Sequence, residues 1–263
     1  MSEMKAQMQV KKQYQVRAKN LFDPAGREPF QLSRSKFEDF LNCPRCFYMD
    51  RRLGLGKPDT PPFQLNKAVD ELFKREFDSY RAKKEPHPLM IENRIDAVPF
   101  AHQDIGVWRE NFTGLRHHHL KTNFIVFGAI DDVWQKPNGE LIVVDYKATW
   151  STKEATLDSE WRQSWKRQLE VYQWLFRRMG FQIAKECYFV YCNAKTSGST
   201  FQKRLDFDVS LLKYEANDSW IEGKLTEARA CLLSPAIPPP APGCDYCAYK
   251  KASALLAEKY RSA

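Results

Sequence analysis

Two acidic side chains and a lysine lie in the middle of the chain at a spacing that suits catalysis. Asp145 and Lys147 belong to the apolar run Val143-Val144-Asp145-Tyr146-Lys147. Alternate side chains of a strand share a face, so Asp145 and Lys147 point the same way. Asp131 lies on the strand predicted to pair with this run. Two carboxylates and an ammonium at the end of an apolar sheet are costly to bury unless they bind something.

This set of side chains is suited to hydrolysis of a phosphodiester bond. Mg²⁺ binds a few protein carboxylate oxygens and keeps water ligands that a substrate can replace. Held by Asp131 and Asp145, it can bind a phosphate oxygen and lower the pKa of an attacking water. Lys147 can orient that water or neutralise developing charge. The alternative is a plain salt bridge at a strand end, because an isolated Asp-x-Lys is common.

A helix downstream carries two more candidate residues. Gln168 and Tyr172 are four residues apart, so they lie on one helical face. Side by side, they can position a nucleic-acid backbone or the catalytic lysine through hydrogen bonds. The alternative is a helix flank in contact with solvent. Basic side chains near the site elements could contact phosphates or could be solvated surface charges: Arg51, Arg52, Lys57, Arg162, Lys166 and Arg167.

Hydrophobic periodicity supplies the strands that must position the acidic residues. Apolar residues alternate on both faces from Phe124 to Asp132, which predicts a strand covered on both sides. Asn138-Gly139 predicts a two-residue hairpin turn, and Leu141–Lys147 is then the partner strand. A third core strand is predicted at residues 187–192, and a further strand at 201–209.

Helical patterns surround these strands. A helix is predicted from about Ser35, which has capping-box spacing to Glu38, towards Arg51, and a second helix from about Gln64 to Lys83. Further helices are predicted at residues 161–179 and 211–233 and near the C-terminus. We therefore expect an α/β fold with a mixed central β-sheet flanked by helices. Residues 1–30 are predicted to form a loosely held basic arm, and residues 31–263 one domain.

Four of the seven cysteines form two Cys-x-x-Cys pairs, Cys43 with Cys46 and Cys244 with Cys247. Two such pairs favour one four-thiolate site, which suits Zn²⁺ or an iron–sulfur cluster. The alternative is four unrelated thiols. A shared site would clamp the C-terminal tail to the first helix. The remaining cysteines are predicted to pack in the core: Cys187, Cys192 and Cys231.

Composition favours a polyanionic partner in a reducing compartment. The chain has 263 residues and a net charge of +8, which suits nucleic acid. Its N-terminus lacks the apolar core of a signal peptide, and no apolar run reaches the roughly 20 residues of a membrane span. We therefore expect a cytoplasmic protein, in which thiols stay reduced and structural disulfides are not expected.

The motifs together resemble the PD-(D/E)XK nuclease superfamily in its RecB-like branch. That branch shows G-x-x-D, then D/E-x-K on a hairpin, then a helix with Q-x-x-x-Y, in this order. Gly128-Ala129-Ile130-Asp131 matches the first pattern, and the later patterns match at Asp145, Lys147, Gln168 and Tyr172. The resemblance spans about residues 32–250 and implies a restriction-endonuclease-like core, with these five polar side chains as catalytic residues.

One position departs from the branch. RecB-like nucleases often place a histidine metal ligand on the helix before the sheet. Here Asn66-Lys67-Ala68-Val69-Asp70 occupies that position, so Asp70 or Glu71 would replace the histidine. A carboxylate can also bind Mg²⁺ or Mn²⁺, so Asp70, Asp131 and Asp145 form the expected metal set. The alternative is that Asp70 and Glu71 belong to a solvated helix face.

The cysteine pairs resemble those of the iron–sulfur subgroup of RecB-like nucleases, which includes CRISPR-associated adaptation nucleases. That subgroup uses one N-terminal cysteine and three near the C-terminus. Here Ser253 stands where the last of them would be, and Cys46 supplies an additional N-terminal thiol. The resemblance implies a 4Fe-4S cluster bound by Cys43, Cys46, Cys244 and Cys247, with Zn²⁺ as the alternative.

These resemblances imply a Mg²⁺- or Mn²⁺-dependent nuclease that hydrolyses DNA, single-stranded or at duplex ends. DNA repair, recombination and CRISPR or other defence processing are the settings that the family implies. Two alternatives stay open: a catalytically silent nucleic-acid-binding module, which the absent histidine favours, and a subunit that cuts only with a protein partner.

Overall fold

The computed structural model describes residues 16–58, 64–152, 155–159, 162–198 and 200–261. Within these ranges the strands are β1 (Phe30–Ser33), β2 (Val98–Pro99), β3 (Leu115–His119), β4 (Phe124–Gly128), β5 (Asp132–Gln135), β6 (Leu141–Thr149), β7 (Glu186–Ala194) and β8 (Phe207–Glu215). The helices are α1 (Arg34–Asn42), α2 (Pro44–Arg51), α3 (Gln64–Lys83), α4 (Pro88–Glu92), α5 (Ile105–Trp108), α6 (Gln163–Arg178), α7 (Ile221–Leu233) and α8 (Asp245–Lys259).

The predicted α/β fold is confirmed, with its strands divided between two mixed sheets. The larger sheet has the order β2-β5-β6-β7-β8, in which β6 and β7 are parallel and the other neighbours are antiparallel. The smaller sheet has the order β1-β4-β3, with β1 parallel to β4. A hairpin joins β5 to β6 as predicted and places Asp132 opposite Val144, but residues 136–140 lie between the two strands in place of the expected two-residue turn.

Two apolar cores lie on opposite faces of β6. Ile142, Val144 and Tyr146 pack on one face with Phe73 and Phe77 of α3. Leu141 and Val143 face the other way, into the core that contains α6. Phe77 is fully buried, and burying a phenylalanine side chain contributes roughly 1.5–3 kcal/mol. The end of β6 is therefore enclosed by α3 and α6, and this is the region where the predicted site residues lie.

The predicted single strand from Phe124 to Asp132 is wrong. The chain leaves the smaller sheet at Gly128 and enters the larger sheet at Asp132. Between them, Ile130 is buried and donates its backbone N–H to the carbonyl of Trp108 at 3.1 Å. The apolar alternation continues through the crossing because Ile130 is inside the core, so periodicity alone does not show the break.

The first predicted helix is two helices. Pro44 begins α2, and a proline excludes the helical conformation for the residue before it, so Cys43 is extended with φ −161° and ψ 104°. Ser33, rather than Ser35, caps α1 by accepting the N–H of Lys36 at 3.3 Å. The break gives Cys43 a position between two helices, at the end of one and the start of the next.

Three other boundaries differ from the predictions. Residues 211–215 belong to β8, which pairs with β7, so the helix predicted from Leu211 begins at Ile221. Phe201 is exposed outside β8. The predicted N-terminal arm is anchored at Phe22, which is buried and whose N–H donates to the carbonyl of Arg51 at 2.7 Å, and residues 1–15 of that arm lie outside the described residues. No helix in the described ranges has the length and apolar content to cross a membrane.

Candidate active site and four-cysteine centre

β6 carries Asp145 and Lys147 on one face and Tyr146 on the other. Tyr146 packs against Phe73 with ring centroids 5.2 Å apart. Asp145 is fully buried, Lys147 is half-buried, and the Lys147 ammonium forms an ion pair with Asp145 Oδ2. The geometry follows the strand alternation expected from the sequence.

The Asp145 carboxylate is under-satisfied for a fully buried group. Its Oδ2 is ion-paired with the Lys147 ammonium, and neither oxygen has another polar partner in the described part of the chain. Buried carboxylates are normally satisfied by several donors. A carboxylate left in this state has the free lone pairs that a cation requires.

Asp131 lies beside Asp145 at the point where β5 begins. Its Oδ2 accepts the backbone N–H of Tyr146 at 2.8 Å, which orients the carboxylate towards β6. Burial and the negative charge of Asp145 raise the pKa of Asp131 to about 7, and the positive charge of Lys147 offsets only part of this effect. Two neighbouring carboxylates repel each other unless a cation lies between them.

Asp70 approaches the same pair from α3. Its Oδ2 accepts a hydrogen bond from Lys74 at 2.7 Å, while its Oδ1 is buried without a partner. Burial and the charge of Asp131 raise the pKa of Asp70. Glu71, the other candidate for the histidine position, is exposed. A cleft of about 260 Å³ opens beside Asp70 and Lys147.

Gln168 and Tyr172 form a hydrogen-bonded series with the lysine. Lys147 Nζ donates to Gln168 Oε1 at 3.4 Å, and Gln168 Nε2 donates to the Tyr172 hydroxyl at 3.1 Å. The Trp165 ring centroid lies 5.5 Å from Lys147 Nζ. Burial raises the pKa of Tyr172 to about 12, so its hydroxyl stays neutral. The structure thus brings Gln168 and Tyr172 to Lys147.

Asp132 is next to Asp131 but has the opposite environment. Its carboxylate is fully buried and is bound by Arg81 and by Arg109, the latter at 3.2 Å. It also accepts the hydroxyl proton of Tyr146 at 2.7 Å. Asp132 is therefore a satisfied structural carboxylate, a role that the sequence pattern did not reveal.

Gly128 is required by close packing. A Cβ at this position would lie 2.8 Å from Tyr172 Cε1 and 3.1 Å from Arg34 Cβ. The glycine of the G-x-x-D pattern therefore allows the Tyr172 ring to lie directly over the backbone of β4.

Gly128→Ala is expected to lower the free energy of unfolding by about 1–3 kcal/mol, because an inserted methyl forces packed neighbours to move. The matched control is Gly106→Ala, where a Cβ meets nothing within 4 Å and alanine favours the helix α5. Urea denaturation of both variants checks the prediction. Equal stability of Gly128→Ala and wild type would contradict it.

The four predicted cysteines converge at a second site. The sulfur of Cys46 lies 3.7 Å from that of Cys244 and 3.5 Å from that of Cys247, and Cys43 lies 3.9 Å from Cys247. All four ligand atoms are within 4.8 Å of one another. Among the described residues this is the one set of three or more potential metal ligands at such spacing, whereas Asp70, Asp131 and Asp145 are further apart.

The thiols at this site differ in acidity. Burial opposes ionisation of Cys43, but the backbone N–H groups of Ala241 and Cys46 donate to its sulfur and lower its pKa to about 7. Burial and the neighbouring thiols raise the pKa of Cys46. A readily ionised thiol among four close sulfurs fits a metal or cluster centre. Cys187 and Cys192 are buried in β7 as predicted, and half-buried Cys231 donates to the carbonyl of Pro44.

The mixed sheet thus carries two neighbouring carboxylates on a hairpin and a lysine near the end of β6. A sequence profile of the PD-(D/E)XK nuclease superfamily matches residues 57–252, which is most of the chain. The chain therefore belongs to the PD-(D/E)XK nuclease superfamily. A search of curated proteins finds no match. A crystal structure of SSO0001 is similar with 14% sequence identity and a TM-score of 0.39, covering 84% of this chain and 80% of that one.

Proposed function

We propose that this chain is a Mg²⁺- or Mn²⁺-dependent deoxyribonuclease of the RecB-like branch. One contrast carries the proposal. Asp132 is saturated by two arginines and a tyrosine, whereas Asp145, equally buried, is contacted only by the Lys147 ammonium among the described residues and lies beside Asp131. A buried carboxylate with a structural role is surrounded by donors, as Asp132 is. A buried carboxylate that binds a cation keeps free oxygen lone pairs, as Asp145 does.

Asp131 and Asp145 would hold the cation, with Asp70 as a third ligand through its unpartnered Oδ1. When bound, the metal supplies charge for a phosphate oxygen and acidity for a water molecule. All three side chains offer oxygen atoms only, and such a set suits hard cations. Asp70 thus replaces the histidine of the branch without removing a ligand, although the three carboxylates must move closer together to share one ion.

Lys147 would act on the reacting phosphate. Its ammonium is held between Asp145 and Gln168, and Tyr172 fixes Gln168 in turn. A positioned ammonium can orient the attacking water and stabilise the charge that develops on the phosphate oxygens. Gln168 and Tyr172 therefore serve as positioning residues for the lysine.

The four-cysteine centre is proposed to be structural, with a 4Fe-4S cluster as the first candidate and Zn²⁺ as the second. Residues 31–263 would then form one nuclease domain, clamped at residues 43–46 and 244–247. DNA repair, recombination and CRISPR or other defence processing are the proposed settings, in a cytoplasmic protein. Protein partners in a repair or CRISPR adaptation complex belong to this proposal.

Lys147→Ala is expected to reduce cleavage of labelled single- or double-stranded DNA by about 10²-fold or more in Mg²⁺ or Mn²⁺, since the variant lacks the group that orients the water. EDTA should stop the wild type. Lys136→Ala, at the far end of the hairpin where Lys136 pairs with Glu186, is the matched control and should cut normally.

Two outcomes would redirect the proposal. Cleavage by Lys147→Ala at the wild-type rate would contradict the assigned site. Wild-type binding of DNA without cleavage under any metal would favour the silent module, and recovery of cutting with a co-purified protein would favour the partner-dependent subunit. The replacement of histidine by Asp70 is the specific observation that keeps these alternatives in the test.

A further inference from the structure

Arg34 lies at the candidate active site although no sequence motif includes it. It is the first residue of α1, and its Cβ lies 3.1 Å from the position of a Cβ on Gly128. Tyr172 contacts the same glycine. Arg34 and Tyr172 are thus neighbours over Gly128, and Tyr172 leads through Gln168 to Lys147.

The Arg34 guanidinium has no partner within the described part of the chain, where it makes neither a hydrogen bond nor an ion pair. Other arginines around the site are engaged. Arg167 binds Glu38 through two nitrogens, and Arg109 binds Asp78 and Asp132. Arg34 is half-buried, and a cation partly removed from water without an anion is unfavourable unless a ligand supplies one.

Electrostatics place this cation within reach of the catalytic groups. Burial raises the pKa of Tyr172, and the charges of Asp145 and Asp131 raise it further, while Arg34 acts against both effects. Arg34 therefore interacts with the same hydroxyl as the two carboxylates.

We propose that Arg34 binds a phosphate group of the DNA strand that is cut, adjacent to or at the scissile phosphate. This inference rests on the proposed nuclease function. A guanidinium presents a planar set of donors that can bind two phosphate oxygens at once, which a lysine ammonium cannot match. The ligand is either an internal phosphodiester or a terminal phosphate monoester, which share this chemistry.

Binding without cleavage separates the inference from catalysis. Fluorescent single-stranded DNA is titrated with protein in EDTA, comparing wild type with Arg34→Gln, which keeps the aliphatic stem over Gly128. Loss of one charge-assisted phosphate contact is expected to weaken binding by about tenfold or more. The slope of log affinity against log salt should fall by about one.

The matched control is Arg75→Gln on α3, because Arg75 is exposed, makes no ion pair among the described residues and carries the same charge. It should bind nearly as wild type. Arg34→Lys should restore part of the affinity by restoring the charge without the planar fork. Thermal unfolding of each variant verifies that the fold is intact, and Arg34→Lys keeps the test valid if Arg34→Gln is unstable.

The site of contact is tested with oligonucleotides that carry one neutral methylphosphonate linkage at successive positions. At the contacted position the neutral linkage should weaken DNA binding by wild type about as much as the Arg34→Gln change does. The same linkage should not weaken DNA binding by the Arg34→Gln variant further. Circular DNA and strands with or without a 5′- or 3′-phosphate identify the source. An Arg34 effect on circular DNA indicates an internal phosphodiester, and an effect confined to phosphorylated ends indicates a terminal phosphate.

Arg34→Gln that matches Arg75→Gln in affinity, salt slope and methylphosphonate profile overturns the inference. If DNA binding depends on Arg34 but the protein never cuts DNA, phosphate binding by Arg34 is supported and only the nuclease proposal is rejected. If wild type cuts DNA and Arg34→Gln binds DNA as tightly as wild type, the inference about Arg34 is wrong and the nuclease proposal stands.

Discussion

Asp145→Asn is expected to abolish metal-dependent cleavage and to leave the metal-free protein as stable as wild type, or more stable. The loss of activity should be on the order of 10³-fold, because a bound cation supplies several kcal/mol of transition-state charge stabilisation and each 1.4 kcal/mol is a factor of ten. The substitution removes the carboxylate that is proposed to hold the cation, at almost constant volume.

Stability should not fall with activity, for an electrostatic reason. Asp145 is buried beside Asp131, and its one polar partner among the described residues is the Lys147 ammonium. Removing its charge ends the repulsion between the two carboxylates. The cost is the ion pair with Lys147, whose ammonium is half-buried and keeps its contact with Gln168. Sites that serve function often trade stability in this way.

Asp132→Asn is the matched comparison, since it makes the same change on the paired strand. It is expected to cost about 3–5 kcal/mol, because Arg81 and Arg109 lose the carboxylate that compensates their buried charges. Calorimetry in EDTA compares the two variants, and cleavage in Mg²⁺ compares their activity. If Asp145→Asn proves to be the more destabilised variant, the assignment of the two carboxylates is reversed.

Cys46→Ser is expected to release the bound metal or cluster and to detach the C-terminal helix. No residue of α8 is buried, so its own packing contributes little to holding it in place. Cys244 and Cys247 tie the start of α8 to Cys43 and Cys46. A structural four-thiolate centre can contribute on the order of 10 kcal/mol of metal-binding free energy, all of it realised only in the folded chain.

Limited proteolysis reports the detachment directly. Trypsin should cleave Cys46→Ser at Lys250 or Lys251 much faster than wild type, while α7 stays protected because Ile221 and Leu225 are buried. The control is Cys231→Ala, which removes a neighbouring thiol that contacts Pro44 rather than the other sulfurs. Cys231→Ala should keep both the metal content and the resistance to trypsin.

The same preparations identify what the centre binds. A brown wild-type protein that contains iron and loses its colour in Cys46→Ser supports the 4Fe-4S cluster, and a colourless protein with one zinc supports the alternative. A protein that contains neither metal, with α8 equally protected in wild type and Cys46→Ser, would show that the four thiols are not a centre at all.

The local parts of this site follow from the sequence. Strand alternation places Asp145 and Lys147 on one face, and helical spacing places Gln168 and Tyr172 on another, because side-chain direction repeats every two or every 3.6 residues. Asn138-Gly139 indicated the hairpin, and the paired Cys-x-x-Cys motifs indicated the four-cysteine centre. The spacing of each pair and the hairpin turn depend on neighbours in the chain. The four-cysteine centre joins distant segments, and it could be expected because each Cys-x-x-Cys pair supplies half of a four-thiolate site.

Other features were decided only by the tertiary structure. Adjacent Asp131 and Asp132 look alike in the sequence, but they differ because Arg81 and Arg109 reach one of them and not the other. Asp70 and Glu71 are equivalent candidates in the sequence, whereas the packing of α3 places half-buried Asp70 near Asp131 and leaves Glu71 exposed. Arg34 has no pattern that marks it, and its position depends on α1 meeting Gly128 and Tyr172. Contacts between residues far apart in the chain depend on how helices and sheets pack, and no local period encodes that packing.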